Sequence, residues 1–347
     1  MKERIVFVGA GAVGGYTGGH MARAGHDVTL VDPWSAHIDT IKRNGLHLGG
    51  TQGEHDVQVR ALHISDVQSL PQHAVDIAFI CMKLYDTDWA VALTKPYLAP
   101  DGFVVSMQNS LVEERVAHIV GWGRTLGCIA STISVEAVAP GRIMRTQLPG
   151  GDAYTVFRVG ELHGAITARA ERVAQMLRAV DSAKVTANLW GERWSKLTAN
   201  TMTTGVSGAS GLDLNEVVEY EPARRLQIRL AAEAIQVGIA LGFKLEMIRG
   251  LSADKWLAAA AGNTAMIDEV NACMLEGLRK RPEGGRSGTA QDIAKGRRTE
   301  VDFMNGYVAE EGRKVGVAAP THAAVALLVK RIERGELRPA RSLLDDV

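Results

Sequence analysis

The sequence predicts an α/β Rossmann domain, with a doubly wound and mainly parallel sheet, followed by an all-α domain. A glycine-rich turn comes directly after the first apolar run, and short β-branched runs then alternate with helical patterns, which is typical of a parallel sheet with crossover helices. After about Ala187 the pattern changes to long stretches rich in Ala, Leu, Glu and Arg with helical periodicity, which predicts the second domain. A chain of 347 residues is long enough for two domains, and we place them at 1–186 and 187–347.

The strands of the first domain are predicted from short apolar runs rich in β-branched residues. The first run, RIVFV, precedes the glycine-rich turn, and the second is followed by an acidic residue. In the second domain, the stretch LQIRLAAEAIQVGIALG predicts a helix whose apolar surface is buried within the chain or supports a homodimer. The predicted strands are Arg4–Val8, Val28–Val31, Ile77–Met82, Phe103–Met107, Leu126–Ile133 and Tyr154–Val159.

Composition and charge exclude several classes of function. Lys plus Arg and Asp plus Glu both total 39, so the net charge is zero, and we expect neither nucleic acid nor a membrane as partner. No apolar stretch is long enough to span a bilayer and no signal-peptide pattern opens the chain, which favours a cytoplasmic location. Cys81, Cys128 and Cys273 form no CxxC pair and the ten histidines show no HxxxH spacing, so no metal site is predicted.

The glycine-rich turn has the GxGxxG spacing of a dinucleotide-binding loop. Gly9 permits a tight turn, Gly11 lets a pyrophosphate approach the backbone, and Gly14 allows close packing of helix and strand. Ala12 and Val13 open the following helix, whose first N–H groups and partial positive charge favour phosphate. Because the motif follows a strand and opens a helix, we predict that the first domain binds a dinucleotide.

Asp32 follows the second predicted strand, about 20 residues beyond the glycines, where an acid accepts hydrogen bonds from the adenosine ribose hydroxyls of NAD. A 2′-phosphate at this place would meet like charge, at a cost on the order of 1 to 4 kcal/mol for unit charges about 4 Å apart. We therefore expect NAD(H). NADP(H) is the alternative, since Arg43 or another cation would compensate the charge.

Polar side chains also follow two later strands and recur at helical spacing in the second domain. Lys83 and Asn109 follow predicted strands, at the sheet edge where doubly wound folds bind ligands. Lys196, Asn200 and Thr204 are four residues apart and are predicted to share one face of a helix. Partial burial between apolar neighbours would lower the pKa of such a lysine and suit it to proton donation.

Five stretches in order along the chain, GAGAVGG, CMK, QNS, WSKLTAN and SGTAQDIAKGRRTEVDFMNGYV, resemble the ketopantoate reductase family, the 2-dehydropantoate 2-reductases. The resemblance implies hydride transfer from a reduced nicotinamide to the ketone of a 2-oxo acid, which gives a 2-hydroxy acid. It implies that Lys196 is the general acid and that Glu300 hydrogen-bonds in the active site and helps place the lysine and the substrate. Asp292 and Asp302 are the competing acids.

The same resemblance implies roles for four further side chains. Asn109 would lie near the nicotinamide and the substrate, Asn200 and Ser287 would bind polar groups of the substrate, and Lys83 would lie near the cofactor. His118 and His322 show no such match and are expected to be surface or capping residues.

Three positions depart from the family pattern. Ser110 stands where the family usually has glycine, Thr204 where it has a second asparagine, and Asp32 where many members have an arginine for the 2′-phosphate. A hydroxyl at position 204 changes the hydrogen bonding available to a substrate. An NAD-dependent 2-hydroxyacid dehydrogenase acting on another branched or aromatic 2-oxo acid is therefore the first alternative, and a non-catalytic dinucleotide sensor is the second.

Overall fold

A computed structural model describes residues 2–278, 285–345 and 347. The chain divides into two compact units, Met1–Leu189 and Trp190–Val347. The boundary predicted at 186/187 lies in the last loop of the first unit, directly before the helix that begins at Leu189.

The described residues of the first unit form two β-sheets and five α-helices, besides short 3₁₀ turns. Its strands are β1 (Arg4–Val8), β2 (Asp27–Asp32), β3 (Leu46–Gly50), β4 (His55–Val57), β5 (Arg60–His63), β6 (Val75–Ile80), β7 (Leu98–Ser106), β8 (Thr125–Ala130), β9 (Val135–Ala139), β10 (Arg142–Arg145), β11 (Phe157–Glu161) and β12 (Ala183–Val185). Its helices are α1 (Ala12–Arg23), α2 (Ser35–Asn44), α3 (Thr87–Thr94), α4 (Glu113–Val120) and α5 (Ala168–Leu177).

The larger sheet has eight strands in the order β12-β11-β8-β7-β6-β1-β2-β5. All neighbouring pairs are parallel except β8 and β11, so the predicted doubly wound, mainly parallel sheet is confirmed. The chain leaves β1 toward β2 on one side and returns to β6 on the other. The carboxyl ends of β1 and β6 therefore meet at the point where the strand order reverses, which is where such sheets bind ligands.

The strand predictions are right for the centre of this sheet and incomplete elsewhere. The predicted Arg4–Val8 is β1, whereas the predicted Ile77–Met82 ends at Ile80, because Cys81 turns into the loop that carries Lys83. The short strands β5 and β12 were not predicted.

A second sheet, in the order β4-β3-β10-β9, was also not predicted. Helix α1 packs between the two sheets, and its glycines allow both to come close. A Cβ on Gly18 would lie 2.7 Å from a methyl of Leu30 in the large sheet, and one on Gly15 would lie 2.5 Å from a methyl of Ile143 in the small sheet. The glycines in the run GGYTGGH therefore leave α1 without side chains where it contacts each of the two sheets.

A buried ion pair ties the small sheet to the rest of the first unit. The guanidinium of Arg145, in β10, donates to Asp181 and to the side chain of Gln52, which also accepts from the Tyr16 hydroxyl of α1. Asp181 also accepts from the amides of Gly150 and Ser182. Burial alone would raise the pKa of Asp181, but these bonds outweigh it and lower the pKa, so the carboxylate stays charged.

The second unit is helical, as predicted; among its described residues the only β-pairing is an isolated bridge between Ile248 and Leu251. Trp256 and the apolar faces of the central helices form its core. No described helix has the length and apolar character required to cross a membrane. The helices are α6 (Leu189–Thr201), α7 (Thr204–Ser210), α8 (Leu214–Glu219), α9 (Glu221–Ala240), α10 (Ala253–Ala260), α11 (Thr264–Leu278), α12 (Gly288–Ala294), α13 (Asn305–Lys314) and α14 (Pro320–Glu333).

Candidate active site

The glycine loop lies at the reversal point of the large sheet, between β1 and α1. Gly9 has φ +101°, and a Cβ there would lie 2.7 Å from the carbonyl carbon of Cys81, so only glycine fits. A Cβ on Gly14 would lie 2.0 Å from the Gly9 carbonyl oxygen. By contrast, apart from Gly11 itself and its two chain neighbours, no described heavy atom lies within 4 Å of the Cβ position of Gly11. The loop is therefore packed against the protein at Gly9 and Gly14, and it has open space beside Gly11.

The open side coincides with the amino terminus of α1. Ala12 and Val13 are the first residues of the helix, Gly11 is its N-cap without a side-chain cap, and the first helical bond runs from the Gly15 amide to the Gly11 carbonyl, 2.8 Å. The amides before Gly15 therefore have no helical acceptor and carry the positive end of the helix dipole. This arrangement suits the phosphates of a dinucleotide.

Asp32 is the last residue of β2, and its buried carboxylate joins two segments. Oδ2 accepts from the Ala10 amide of the glycine loop at 2.7 Å, and Oδ1 accepts from the Trp34 amide at 2.9 Å. A carboxylate offers about four lone-pair positions, so each oxygen can accept one bond more. Arg43, the cation considered for a 2′-phosphate, lies in the last turn of α2, at the end away from Asp32.

Lys83 and Asn109 lie on two loops at the carboxyl edge of the large sheet. Lys83 comes three residues after the end of β6, and Asn109 three residues after the end of β7; both are half-buried. The Gln108 side chain joins the loops, because its Nε2 donates to the Met82 carbonyl at 2.8 Å and to the Thr87 hydroxyl at 3.0 Å. The loops that carry Lys83 and Asn109 are therefore held together.

Ser110, next to Asn109, adopts a conformation that favours glycine. Its φ is +57°, and its buried hydroxyl has no hydrogen-bond partner among the described residues. A non-glycine residue in this region costs on the order of 1 kcal/mol or more. The backbone of this loop thus keeps the form for which glycine is suited although the sequence has serine.

Lys196 and Asn200 lie four residues apart on α6 and face the same way, as predicted. Lys196 is half-buried, and its neighbours along the helix, Trp194 and Leu197, are fully buried. The Trp194 indole donates to the Ala234 carbonyl at 2.7 Å, and Ser195 Oγ accepts from the Glu246 amide at 2.8 Å. These contacts fix the rotation of α6 and hence the direction of Lys196.

The prediction that Thr204 shares this helix is wrong. Helix α6 ends at Thr201, and Thr204 is the first residue of α7. The break occurs because the Thr203 amide bonds to the Asn200 carbonyl, 3.0 Å, instead of that of Ala199. Side chains from elsewhere in the second unit then occupy the released carbonyls.

Ser287 lies beside Thr204 and is the N-cap of α12. Its hydroxyl donates to the Thr204 carbonyl at 3.3 Å and accepts from the Ala290 amide at 3.1 Å. A hydroxyl has one donor and two lone pairs, so one acceptor position remains for a ligand.

Glu300 caps a short 3₁₀ turn before α13, and its carbonyl accepts from the Phe303 amide at 2.9 Å. Asp302, a competing acid, bonds to Lys330 Nζ at 2.8 Å and lies 3.7 Å from the Arg298 guanidinium. Asp292, the other, is buried on α12. The pairing of Glu300 with Lys196 stays a prediction.

Residues that sequence reasoning did not single out hold the end of α6. The guanidinium of Arg249 donates to the Ala199 carbonyl and to the Thr203 hydroxyl. Asn305 Nδ2 donates to the Thr201 carbonyl at 3.1 Å. The available signals were the dipeptides Arg-Gly, which forms a tight turn with positive φ at both residues, and Asn-Gly within MNGYV.

His322 completes this arrangement and is not the surface or capping residue that was expected. Its side chain is fully buried. Nε2 donates to the Leu230 carbonyl at 2.9 Å, which leaves Nδ1 to accept from Asn305 at 3.2 Å. Burial lowers the pKa of His322 to about 4, so the ring is neutral. His118 is exposed on α4, as expected.

The described part of the chain contains no group of three or more His, Cys, Asp or Glu side chains arranged to hold a metal ion.

Comparisons with known proteins give a consistent family. The family model described as ketopantoate reductase PanE/ApbA matches residues 5–156, and the model of its C-terminal part matches residues 188–333. The chain is 26% identical over 335 residues to a 2-dehydropantoate 2-reductase of Archaeoglobus fulgidus, covering 96% of this chain and 99% of the relative. It is 28% identical to one of Mesorhizobium japonicum, covering 96% and 99%.

Solved structures agree on the fold. A PanE/ApbA family ketopantoate reductase from Ralstonia eutropha superposes with a TM-score of 0.78 at 25% identity, covering 96% of this chain and 99% of that one. D-mandelate dehydrogenase with NADH and anilino(oxo)acetate superposes with a TM-score of 0.79 at 20% identity, with the same coverage.

Proposed function

This chain belongs to the ketopantoate reductase family and is an oxidoreductase, and from that premise we propose that it reduces the ketone of a ketopantoate-like 2-oxo acid with NADH. The single observation that carries the proposal is the glycine loop. It is closed against Cys81, open at Gly11 and followed by the uncapped amino terminus of α1. Such a loop fits the pyrophosphate of a nicotinamide dinucleotide.

The residues of the first unit fit this cofactor. Gly9, Gly11 and Gly14 with the amides of Ala12 and Val13 would hold the pyrophosphate. The free lone pairs of Asp32 would accept from the ribose hydroxyls, and its charge would oppose a 2′-phosphate. Lys83 and Asn109 would contact the nicotinamide half. We therefore propose NAD(H) as the preferred cofactor, with NADP(H) as the alternative.

When bound, the reduced nicotinamide supplies a hydride to the ketone carbon. Lys196 would donate the proton from Nζ to the ketone oxygen as negative charge develops there. An ammonium at hydrogen-bond distance stabilises that charge more in the transition state than in the ground state. The half-burial of Lys196 would strengthen this interaction, because charges interact more strongly where water is partly excluded.

Glu300 would keep the Lys196 ammonium charged and oriented, since a half-buried cation retains its proton more readily beside a carboxylate. Asn200, Thr204 and Ser287 would bind the polar groups of the substrate. The contact of Ser287 with the Thr204 carbonyl brings two of these positions together, although they are far apart in sequence.

A second candidate function keeps the chemistry and changes the substrate. Thr204 offers a single hydroxyl where the family pattern has an amide, and Asp32 favours NAD(H). D-mandelate dehydrogenase, whose fold is similar, binds NADH and anilino(oxo)acetate. An NAD-dependent 2-hydroxyacid dehydrogenase acting on another branched or aromatic 2-oxo acid is therefore the alternative.

A substrate panel tests the proposal. Ketopantoate and a series of branched and aromatic 2-oxo acids are each assayed with NADH and with NADPH, and oxidation of the cofactor is followed by its absorbance. We expect the highest kcat/KM with NADH and a ketopantoate-like acid. A preference for an aromatic acid would favour the second candidate, and a strong preference for NADPH would contradict the role of Asp32. Cofactor binding without turnover of any acid would favour a sensor.

A further inference from the structure

Each residue of the corner between β2 and α2, Asp32-Pro33-Trp34, makes a hydrogen bond or a ring contact with another part of the first unit. Both carboxylate oxygens of Asp32 accept backbone amides, at 2.7 and 2.9 Å. The Pro33 carbonyl bonds to Nε2 of His63, at the end of β5, at 2.9 Å. The Trp34 ring lies flat on the imidazole of His37, with centroids 4.9 Å apart and planes inclined by 7°. The corner is therefore rigid although it lies at the surface.

The two stacked rings differ in exposure. His37 is fully buried, whereas Trp34 keeps 37% of its surface exposed. Since His37 covers one face of the indole, we take the exposed surface to include the opposite face. Trp34 differs from the other exposed tryptophans because it has an imidazole beneath it and stands two residues after Asp32.

We propose that Trp34 is the surface on which the adenine ring of the cofactor stacks. This inference rests on the proposed function, because it takes the pyrophosphate to lie at Gly11 and the ribose hydroxyls at Asp32. The base is the next group along the adenosine half of the dinucleotide. Trp34 presents an aromatic ring two residues after Asp32, on the same corner between β2 and α2. Aromatic side chains bind bases by their π-faces, and the contact tolerates different bases.

His37 connects this stacking surface to the glycine loop. The Gly141 amide donates to Nδ1 of His37 at 2.9 Å, so Nε2 carries the proton and donates to the Ala10 carbonyl at 2.9 Å. The amide of the same residue, Ala10, donates to Asp32. The positions assigned to pyrophosphate, ribose and base are thus connected by hydrogen bonds and one ring stack, and such preorganisation lowers the entropic cost of binding.

Burial lowers the pKa of His37, against the opposing effects of its bond to Ala10 and the charge of Asp32. The neutral ring keeps Nδ1 as an acceptor for Gly141. Among the groups around it, Asp32 is the charged one that acts on His37. The support beneath Trp34 is therefore unchanged over the neutral pH range.

Binding of ADP-ribose, which contains the adenosine half without nicotinamide, tests the proposal. Isothermal titration calorimetry is carried out on the full-length wild type and on Trp34→Ala, Trp34→Phe and Trp122→Ala. We expect Kd to rise roughly tenfold or more in Trp34→Ala and to stay within about threefold of wild type in Trp34→Phe, which keeps an aromatic face. Trp122 is the matched control: it is 55% exposed and precedes β8, which lies on the other side of β1 from β2 in the sheet, and its removal should leave Kd unchanged.

Turnover supplies a second measurement that a loss of folding would not reproduce. In Trp34→Ala, the KM for NADH should rise about tenfold while kcat stays within twofold, and kcat/KM with reduced nicotinamide mononucleotide, which has no adenosine, should not change. Wild-type affinity for ADP-ribose in Trp34→Ala would overturn the stacking proposal and leave the proposed function intact. If the wild type bound neither ADP-ribose, NADH nor NADPH, both proposals would fall.

Discussion

His20 in the first unit and His322 in the second are two of the buried histidines, and burial keeps both rings neutral. Burial lowers the pKa of His20 to about 4, with the nearby charges of Arg23, His55 and Arg145 acting in the same direction. Burial likewise lowers the pKa of His322 to about 4. In the unfolded chain both rings would titrate near 6.5. The folded protein therefore binds fewer protons than the unfolded chain between these two values.

This difference predicts that the protein loses stability in weak acid. The stabilising contribution of each ring is fully present above pH ~6.5 and is lost as the pH falls toward ~4, with an upper limit of about 3 kcal/mol per ring. Urea unfolding at pH 7.5 and pH 5.0 should show a lower free energy of unfolding at pH 5.0. In His20→Gln the pH dependence should be smaller. Equal stability of the wild type at the two pH values would contradict the neutral, buried state of both rings.

At the scale of elements, the break between α6 and α7 connects the predicted catalytic helix to the rest of the second unit. Asn305 on α13 donates to the Thr201 carbonyl at the end of α6, and its side chain also bonds to His322 on α14. Arg249 donates to the Ala199 carbonyl of the same helix. Asn200 lies between these two carbonyls. Its direction, and that of Lys196 one turn earlier, therefore depends on side chains more than 45 residues away in sequence.

Removal of the Asn305 side chain should loosen this break. Asn305→Ala leaves the buried Thr201 carbonyl and Nδ1 of His322 without a donor, and we expect a loss of about 2–4 kcal/mol in the free energy of unfolding. The displaced Asn200 should raise the KM for the oxo acid more than the KM for NADH. Asn263→Ala is the control, since its exposed side chain only caps the start of α11. Equal effects of the two substitutions would contradict the proposed role of Asn305.

The same elements show what a sequence can and cannot predict. Strand β1, the glycine loop and the acid at the end of β2 were predictable because each depends on local pattern. The small sheet was not, since β4 has three residues and β9 alternates between half-buried and exposed positions without a strong apolar pattern. The end of α6 was not predictable either, because the four-residue spacing of Lys196, Asn200 and Thr204 is that of one uninterrupted helix. Only long-range partners of the Ala199 and Thr201 carbonyls stop the helix.

At the scale of the whole molecule, the two units divide the proposed chemistry. The first unit contains the groups suited to a dinucleotide, and the second contains Lys196, Glu300 and the polar positions proposed for the substrate. Both parts of the chain match models of one family, from 5–156 and from 188–333. A sensor needs only the first set of groups. A reductase needs both, and the proton donor is the group that separates the two possibilities.

The most direct test of the central claim is therefore the turnover number of Lys196→Ala, measured beside its affinity for NADH. We predict that kcat falls by about 10² or more, because proton donation to the developing alkoxide is lost, while the Kd for NADH stays within about twofold. Lys255→Ala is the matched control: this lysine of the same unit pairs with Glu269 at the surface, and its removal should leave kcat unchanged. Unchanged turnover in Lys196→Ala would contradict the role of Lys196 as the general acid.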